Sequence, residues 1–278
     1  TCVNTASVKV FVNPLPVAKA GDDATICQGG KTQFVGGGGY SYKWAPVATL
    51  DNANIMNPFA SPTVNTVYRV SVYSDKGCVS VDSLTVFVNP IPKADAGIDT
   101  AVCYGSDIKL MGSGSENYLW TPNYAIDDTK VASPTVSPSV KTTYILKVSD
   151  NIGCSSQDTV VVSIKPVPTA KAMDDNTICY GDTVILTVIG ESEYLWDNTE
   201  SLSQVDIWNP KAFPKTSTMY SVTVTNMYGC TATDEVFVGV KDFVPLKVNT
   251  IYYPVVCDGN AVNVVIEASK GNSAYAWS

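Results

Sequence analysis

Histidine is absent from this 278-residue chain. That absence excludes Ser-His-Asp and Cys-His nucleophilic catalysis, and it removes the commonest transition-metal ligand. The cysteines are widely separated, the nearest neighbours being pairs such as Cys78 and Cys103, so the close Cys-x-x-Cys pairs of zinc sites are missing as well. No run of 18 apolar residues occurs, so no segment reads as a transmembrane helix. No stretch carries helical spacing, and no phosphate-cradling glycine loop precedes a helix. The acidic residues are scattered, with no unit to gather a carboxylate pair into a cleft. An enzyme is therefore not expected, and neither is a cofactor. The formal net charge of −8 disfavours nucleic acid and anionic membranes as partners.

What is present is repetition. Cys27–Trp44–Cys78, Cys103–Trp120–Cys154 and Cys179–Trp196–Cys230 recur at one unvarying interval, without gaps. A shared period of this kind means one folding unit copied in tandem. Residues 1–13 read as the C-terminal strand of a preceding repeat, since Cys2 lies one such period before Cys78. Repeat 1 is then 14–89, repeat 2 is 90–165 and repeat 3 is 166–241. Residues 242–278 are a partial, diverged repeat 4 carrying Cys257 and Trp277. The chain begins and ends inside a repeat, which reads as a segment of a longer secreted protein.

Within each repeat, apolar residues alternate with period two. Tyr68, Val70 and Val72 are matched by Tyr144, Leu146 and Val148, and by Tyr220, Val222 and Val224. Closing strands repeat the pattern at Leu84–Val88, Val160–Ile164 and Val236–Val240. This is the signature of half-buried strands in a two-layer sandwich. The expected fold is all-β: tandem immunoglobulin-like (PKD-like) antiparallel β-sandwiches set end to end as a rod. Pro-x-Pro at 14/16, 90/92 and 166/168 supplies short semi-rigid connectors. Glycines before the second cysteine (Gly77, Gly153, Gly229) mark a hairpin that needs positive φ, whereas Gly36–Gly39 reads as a flexible loop peculiar to repeat 1.

Trp44, Trp120 and Trp196, with Tyr68, Tyr144 and Tyr220, are expected in the core. Tyr42, Tyr118, Tyr194 and Tyr275 stand two residues before a tryptophan, and the competing reading is an aromatic platform for sugar. Units near the lower end of domain size bury a small core and benefit from covalent help, so the cysteines read as disulfides in an oxidising compartment. Free reactive thiols are not expected. Two connectivities stand. One is local: Cys27–Cys78, Cys103–Cys154 and Cys179–Cys230. The other is staggered, Cys27–Cys154 and Cys103–Cys230, with Cys2, Cys257 and the other cysteines paired outside. Acidic pairs Asp22-Asp23 and Asp174-Asp175 read as solvated turns, with a calcium clamp as the competing reading and no metal site assigned.

Pro14 to Asp23, Ile26 to Gly29, Tyr42 to Trp44, Thr66 to Val72 and Gly77-Cys78 carry a further signal. Together they resemble the PKD/immunoglobulin-like repeats of Bacteroidetes cell-surface proteins, most like the stalk repeats of SprB-type gliding-motility adhesins. The resemblance implies a structural stalk segment of a filamentous adhesin, exported by type IX secretion and associated with the outer membrane. Its partners would be neighbouring repeats of the same chain, with surface polysaccharide or motility machinery engaged through other regions. It also implies O-glycosylation at Asp-Ser/Thr motifs, which places candidates at Ser83, Thr100, Thr159 and Thr183. The alternative is a carbohydrate-binding or spacer module of a secreted polysaccharide-degrading enzyme.

Overall fold

The computed structural model describes residues 4–190 and 193–241, together with a short pair formed by Asn249–Thr250 and Ile266–Glu267. Cys2, Cys257, Tyr275, Trp277 and almost all of the expected repeat 4 lie outside the described residues. Two compact units are present, Thr1–Ser163 and Ile164–Ser278.

In the first unit, six strands follow the connector: β1 (Ala24–Cys27), β2 (Thr32–Gln33), β3 (Ser41–Ala45), β4 (Phe59–Ala60), β5 (Thr66–Tyr73) and β6 (Val79–Asn89). They are repeated as β7 (Thr100–Cys103), β8 (Ile108–Lys109), β9 (Asn117–Thr121), β10 (Thr135–Val136), β11 (Thr142–Ser149) and β12 (Ser155–Lys165). The second unit holds β13 (Lys171–Ala172), β14 (Asn176–Cys179), β15 (Val184–Ile185), β16 (Val188–Ile189), β17 (Glu193–Trp196), β18 (Lys211–Ala212), β19 (Thr218–Thr225) and β20 (Thr231–Lys241). Three four-stranded sheets share one order: β1-β6-β5-β3, β7-β12-β11-β9 and β14-β20-β19-β17. Facing each is a short ladder, β2-β4, β8-β10 or β15-β18. This is a tandem of immunoglobulin-like sandwiches. The opening strand departs from the antiparallel expectation: β1 runs parallel to β6, pairing Ala24 with Val86 and Cys27 with Asn89, and β14 runs likewise beside β20. Side-chain alternation does not reveal strand direction, because both pairings have the same period.

The alternation maps onto the core. Tyr68, Val70 and Val72 of β5 are fully buried, and Leu84 and Val86 of β6 meet them across the sheet. The tryptophans of β3, β9 and β17 are at most 1% exposed. Each indole Nε1–H donates to a backbone carbonyl farther along the chain, that of Ile55, Val131 or Ile207. A buried indole thus has its one polar group satisfied. Phe34 completes the first core, 4.9 Å from the Trp44 ring and 5.0 Å from Tyr68.

Two expectations change. Residues 4–13 form no strand, and Val8, Val10 and Val12 are exposed. A closing strand is held by pairing on both flanks, as β6 is by β1 and β5, and residues 4–13 have no such pairing. The Gly36–Gly39 segment is also not an open loop peculiar to repeat 1. A Cβ on Gly38 would fall 1.6 Å from the Val17 carbonyl oxygen, and one on Gly114 would fall 2.2 Å from that of Lys93. Both residues have positive φ, +97° and +132°. Glycine stands at 38, 114 and 190, one period apart, because the backbone of the preceding connector passes close by.

Gly114→Ala is therefore expected to destabilise the first unit by about 3 kcal/mol or more, read by denaturant unfolding. Gly105→Ala, with φ of +82° but open space around it, is expected to cost only about 1–2 kcal/mol.

Candidate functional site at the junction between repeats

The junction inside the first unit is built on the closing strand β6. At its last residue, Asn89, three elements converge. Cys27 at the end of β1 pairs with Asn89, and the Gln28 N–H donates to the Asn89 carbonyl at 2.8 Å. The Asn89 amide donates to Asp150 Oδ2, also at 2.8 Å. Asp150 opens the β11–β12 hairpin, and its other oxygen accepts the N–H groups of Ile152, Gly153 and Cys154. One carboxylate thus holds the turn and the preceding sandwich together. Burial pushes its pKa upward, but these hydrogen bonds, from Cys154 and Ile152 foremost, hold it below the ordinary carboxylate value.

Across this junction Cys27 is joined to Cys154, with Cα atoms 5.5 Å apart and a sequence separation of 127. Cys154 is 1% exposed. The local pairing does not occur: Cys27 is joined to Cys154, and Cys78 and Cys179 form no disulfide among the described residues. The reason is distance. Cys27 lies beside the end of β6 and Cys78 immediately before its start. A strand of that length spans about 35 Å, against the roughly 7 Å that a disulfide tolerates between Cα atoms. Cys103 and Cys230 are both disulfide-bonded. The Cys78 thiol lies 3.9 Å from the Asn13 carbonyl, one period before the place where Cys154 and Asn89 meet.

Two further carboxylates per repeat latch the connector to the closing strand. Asp82, Asp158 and Asp234 accept the N–H groups of Ala20, Ala96 and Ala172 at 2.9, 2.8 and 2.7 Å. In the opposite direction, Asp23, Asp99 and Asp175 accept from Thr85, Val161 and Phe237. Asp23 and Asp175 are thus anchors rather than residues of solvated turns. Among the described residues, no group of three or more His, Cys, Asp or Glu is placed to hold a metal. This latch is what the Ala-x-Ala-Gly-x-Asp string encodes: small buried alanines bring the backbone within reach, and the aspartate receives it. Its signal in the sequence was the same alanine-to-aspartate offset in all three repeats.

The other candidates are dispersed. Tyr68, Tyr144 and Tyr220 are buried, with hydroxyls bonded to Thr49, the Tyr124 carbonyl and Ser201. Burial raises the phenol pKa of Tyr144 and Tyr220. Ser83, Thr159 and Thr183 lie at the surface, as the burial pattern of their strands and turns has it, and Thr100 is half-buried. Three of the aspartates preceding these hydroxyls, at 82, 158 and 99, are latch residues. Asp234 keeps the latch in repeat 3 although Glu235 follows it, so the latch alone accounts for the aspartate there. Sequence reasoning passed over Trp208, which is 52% exposed. It also passed over an open hollow of about 810 Å³ in the second unit, bounded by Asp197–Ser201 and Phe213–Thr216. Both are found in repeat 3, where a search for period-matched residues is blind to them. Among the described residues, no helix is long and apolar enough to cross a membrane.

No protein-family model and no curated protein matches the chain. Among solved structures it is similar to the I9–I11 tandem of titin, at 13% identity and a TM-score of 0.36, over 82% of this chain and 100% of that one. It is similar to immunoglobulin domains 1–5 of Sidekick-1, at 11% identity and a TM-score of 0.34, over 84% of this chain and 60% of that one. The third is EC22–24 of mouse cadherin-23, at 12% identity and a TM-score of 0.33, over 83% of this chain and 100% of that one. The immunoglobulin-like fold of this chain stands on its own sheets and their register.

Two outcomes test the junction. Cys27→Ser combined with Cys154→Ser is expected to lower the stability of the first unit by about 4 kcal/mol, measured by denaturant unfolding under oxidising conditions. Asp158 is held below the ordinary carboxylate value, first by the Ala96 N–H and then by that of Thr159, with burial opposing and Lys93 assisting. A carboxylate depressed on folding stabilises above its unfolded pKa of about 3.9 and loses that contribution as pH falls through the folded value. Asp158→Asn should therefore lower the melting temperature at neutral pH, and the gap to wild type should close as the solution is acidified below about pH 4.

Proposed function

We propose that this chain is a load-bearing stalk segment of a filamentous cell-surface adhesin, with no catalytic role. The observation that carries the reading is the Cys27–Cys154 cystine, which joins the opening strand of one sandwich to the closing hairpin of the next. A bond placed there adds nothing to a ligand site. It restrains two neighbouring domains that would otherwise move about a short connector. Cys103 and Cys230 are also disulfide-bonded, so covalent restraint is not confined to one pair of cysteines. On this reading the repeats are 14–89, 90–165 and 166–241. The cystines support an oxidising, extracellular setting, and display at the cell surface is part of the reading proposed here. The resemblance to SprB-type stalk repeats refines this to gliding motility and surface attachment, with type IX export and modification at Ser83, Thr100, Thr159 or Thr183.

A saccharide-binding role is the second reading, and one observation favours it: Trp208 is half exposed in the same unit as the large hollow. Binding of the purified chain to a glycan array, together with surface labelling of intact cells by an antibody against residues 14–241, separates the two. The stalk reading expects surface label and a silent array. Saturable binding to a defined glycan, abolished by Trp208→Ala, overturns it in favour of the second reading. Label seen only after cell lysis overturns both.

A further inference from the structure

We infer that the Cys27–Cys154 cystine has a second function: it is a covalent bypass that keeps the chain in one piece, and at fixed length, when the backbone between the two cysteines is cut or unfolded. The inference deepens the load-bearing reading above. Between Cys27 and Cys154 there are two covalent routes, one along a sequence separation of 127 and one across a single S–S bond. The long route contains most of both sandwiches of the first unit and the whole Pro90–Lys93 connector. A local Cys27–Cys78 bridge would have enclosed neither the connector nor the second sandwich. A break in the connector would then have parted the chain.

The geometry suits a permanent shortcut. The bond lies where β1, β6 and the β11–β12 hairpin already meet, held by the Gln28–Asn89 and Asn89–Asp150 hydrogen bonds, so closing it requires no displacement. Cys154 is buried, whereas the cuttable places on the long route are exposed. The hairpin tip Asp75–Lys76 has side chains 65% and 63% exposed, and Asn52, Asn54, Ile55 and Met56 lie on the surface. Exposed tips are where proteases nick folded domains. Under tension the shorter route bears the load between the two cysteines, so unfolding the residues between them adds no length while the bond holds.

The test uses the full chain with a site-specific protease sequence inserted at the Asp75–Lys76 tip. After complete cleavage, the oxidised protein should run as one band of undiminished mass without reductant and as two bands with it. The same insertion in a Cys27→Ser/Cys154→Ser chain should give two bands in both conditions. In a second arm the oxidised chain is held by its two ends and stretched. At forces that unfold both sandwiches, adding reductant should lengthen it toward a limit of about 430 Å for this loop, taking about 3.4 Å for each residue released across the separation of 127. Two bands from the oxidised parent, one persisting band from the double variant, or no gain in length on adding reductant at those forces each overturns the bypass. These readouts come from isolated protein, so they fail or succeed independently of the surface labelling and glycan binding that decide the stalk reading.

Discussion

The closing strand of each repeat is 11 residues long, and much else in the structure follows from that length. It separates the two cysteines of one repeat by far more than a disulfide can reach, so a bridge must find its partner in the next repeat. It also has neighbours on both flanks. In the first repeat the opening strand lies parallel on one side and β5 antiparallel on the other, and two aspartate latches tie the connector to it. Core, connector and covalent staple are thus referred to one element. Where that strand ends, at Asn89 in the first repeat, is where the next sandwich attaches.

The polar contacts at this strand are directional. Asp82 and its counterparts receive an N–H from the connector, while Asp23 and its counterparts reach back to receive one from the strand. Charge-assisted bonds of this kind are stronger than neutral ones and fix register as well as proximity. They explain why the segment after each Pro-x-Pro carries small residues: Ala20, Ala96 and Ala172 are buried against the sheet, and a larger side chain would lift the backbone off its acceptor. The glycines at 38 and 114 serve the same seam from the other side. The seam is an ordinary packing solution, and nothing in it resembles a reaction centre.

The sandwich and its core were legible in the sequence because they rest on period-two burial and on residues copied at a fixed interval. Tyr68, Val70, Val72, Leu84 and Val86 follow from alternation, and Trp44 from its place between the paired cysteines of each copy. Other features resisted for physical reasons. The parallel course of β1 leaves no mark on side-chain period. The aspartate latches join distant residues through one backbone N–H each, and no side-chain pattern shows a backbone donor. The glycine at 38 sits in a run of four, and its role emerges only when the same position is compared across repeats. Trp208 has Ala132 and Met56 one and two periods earlier, so a search built on repetition discards it.

Cysteine pairing marks the division most sharply. The sequence by itself determined that a small module of strands is copied at one fixed interval, that an indole closes each core, and that cysteines rather than histidines carry the covalent chemistry. These are properties of composition and period, which survive in one dimension. Whether Cys27 meets Cys78 or Cys154 was open at that level, because both partners recur with the same regularity. Only the tertiary structure decided it, since the choice depends on which strand ends share a pole of the sandwich. That is a matter of strand direction and length in space, and spacing along the chain does not record it.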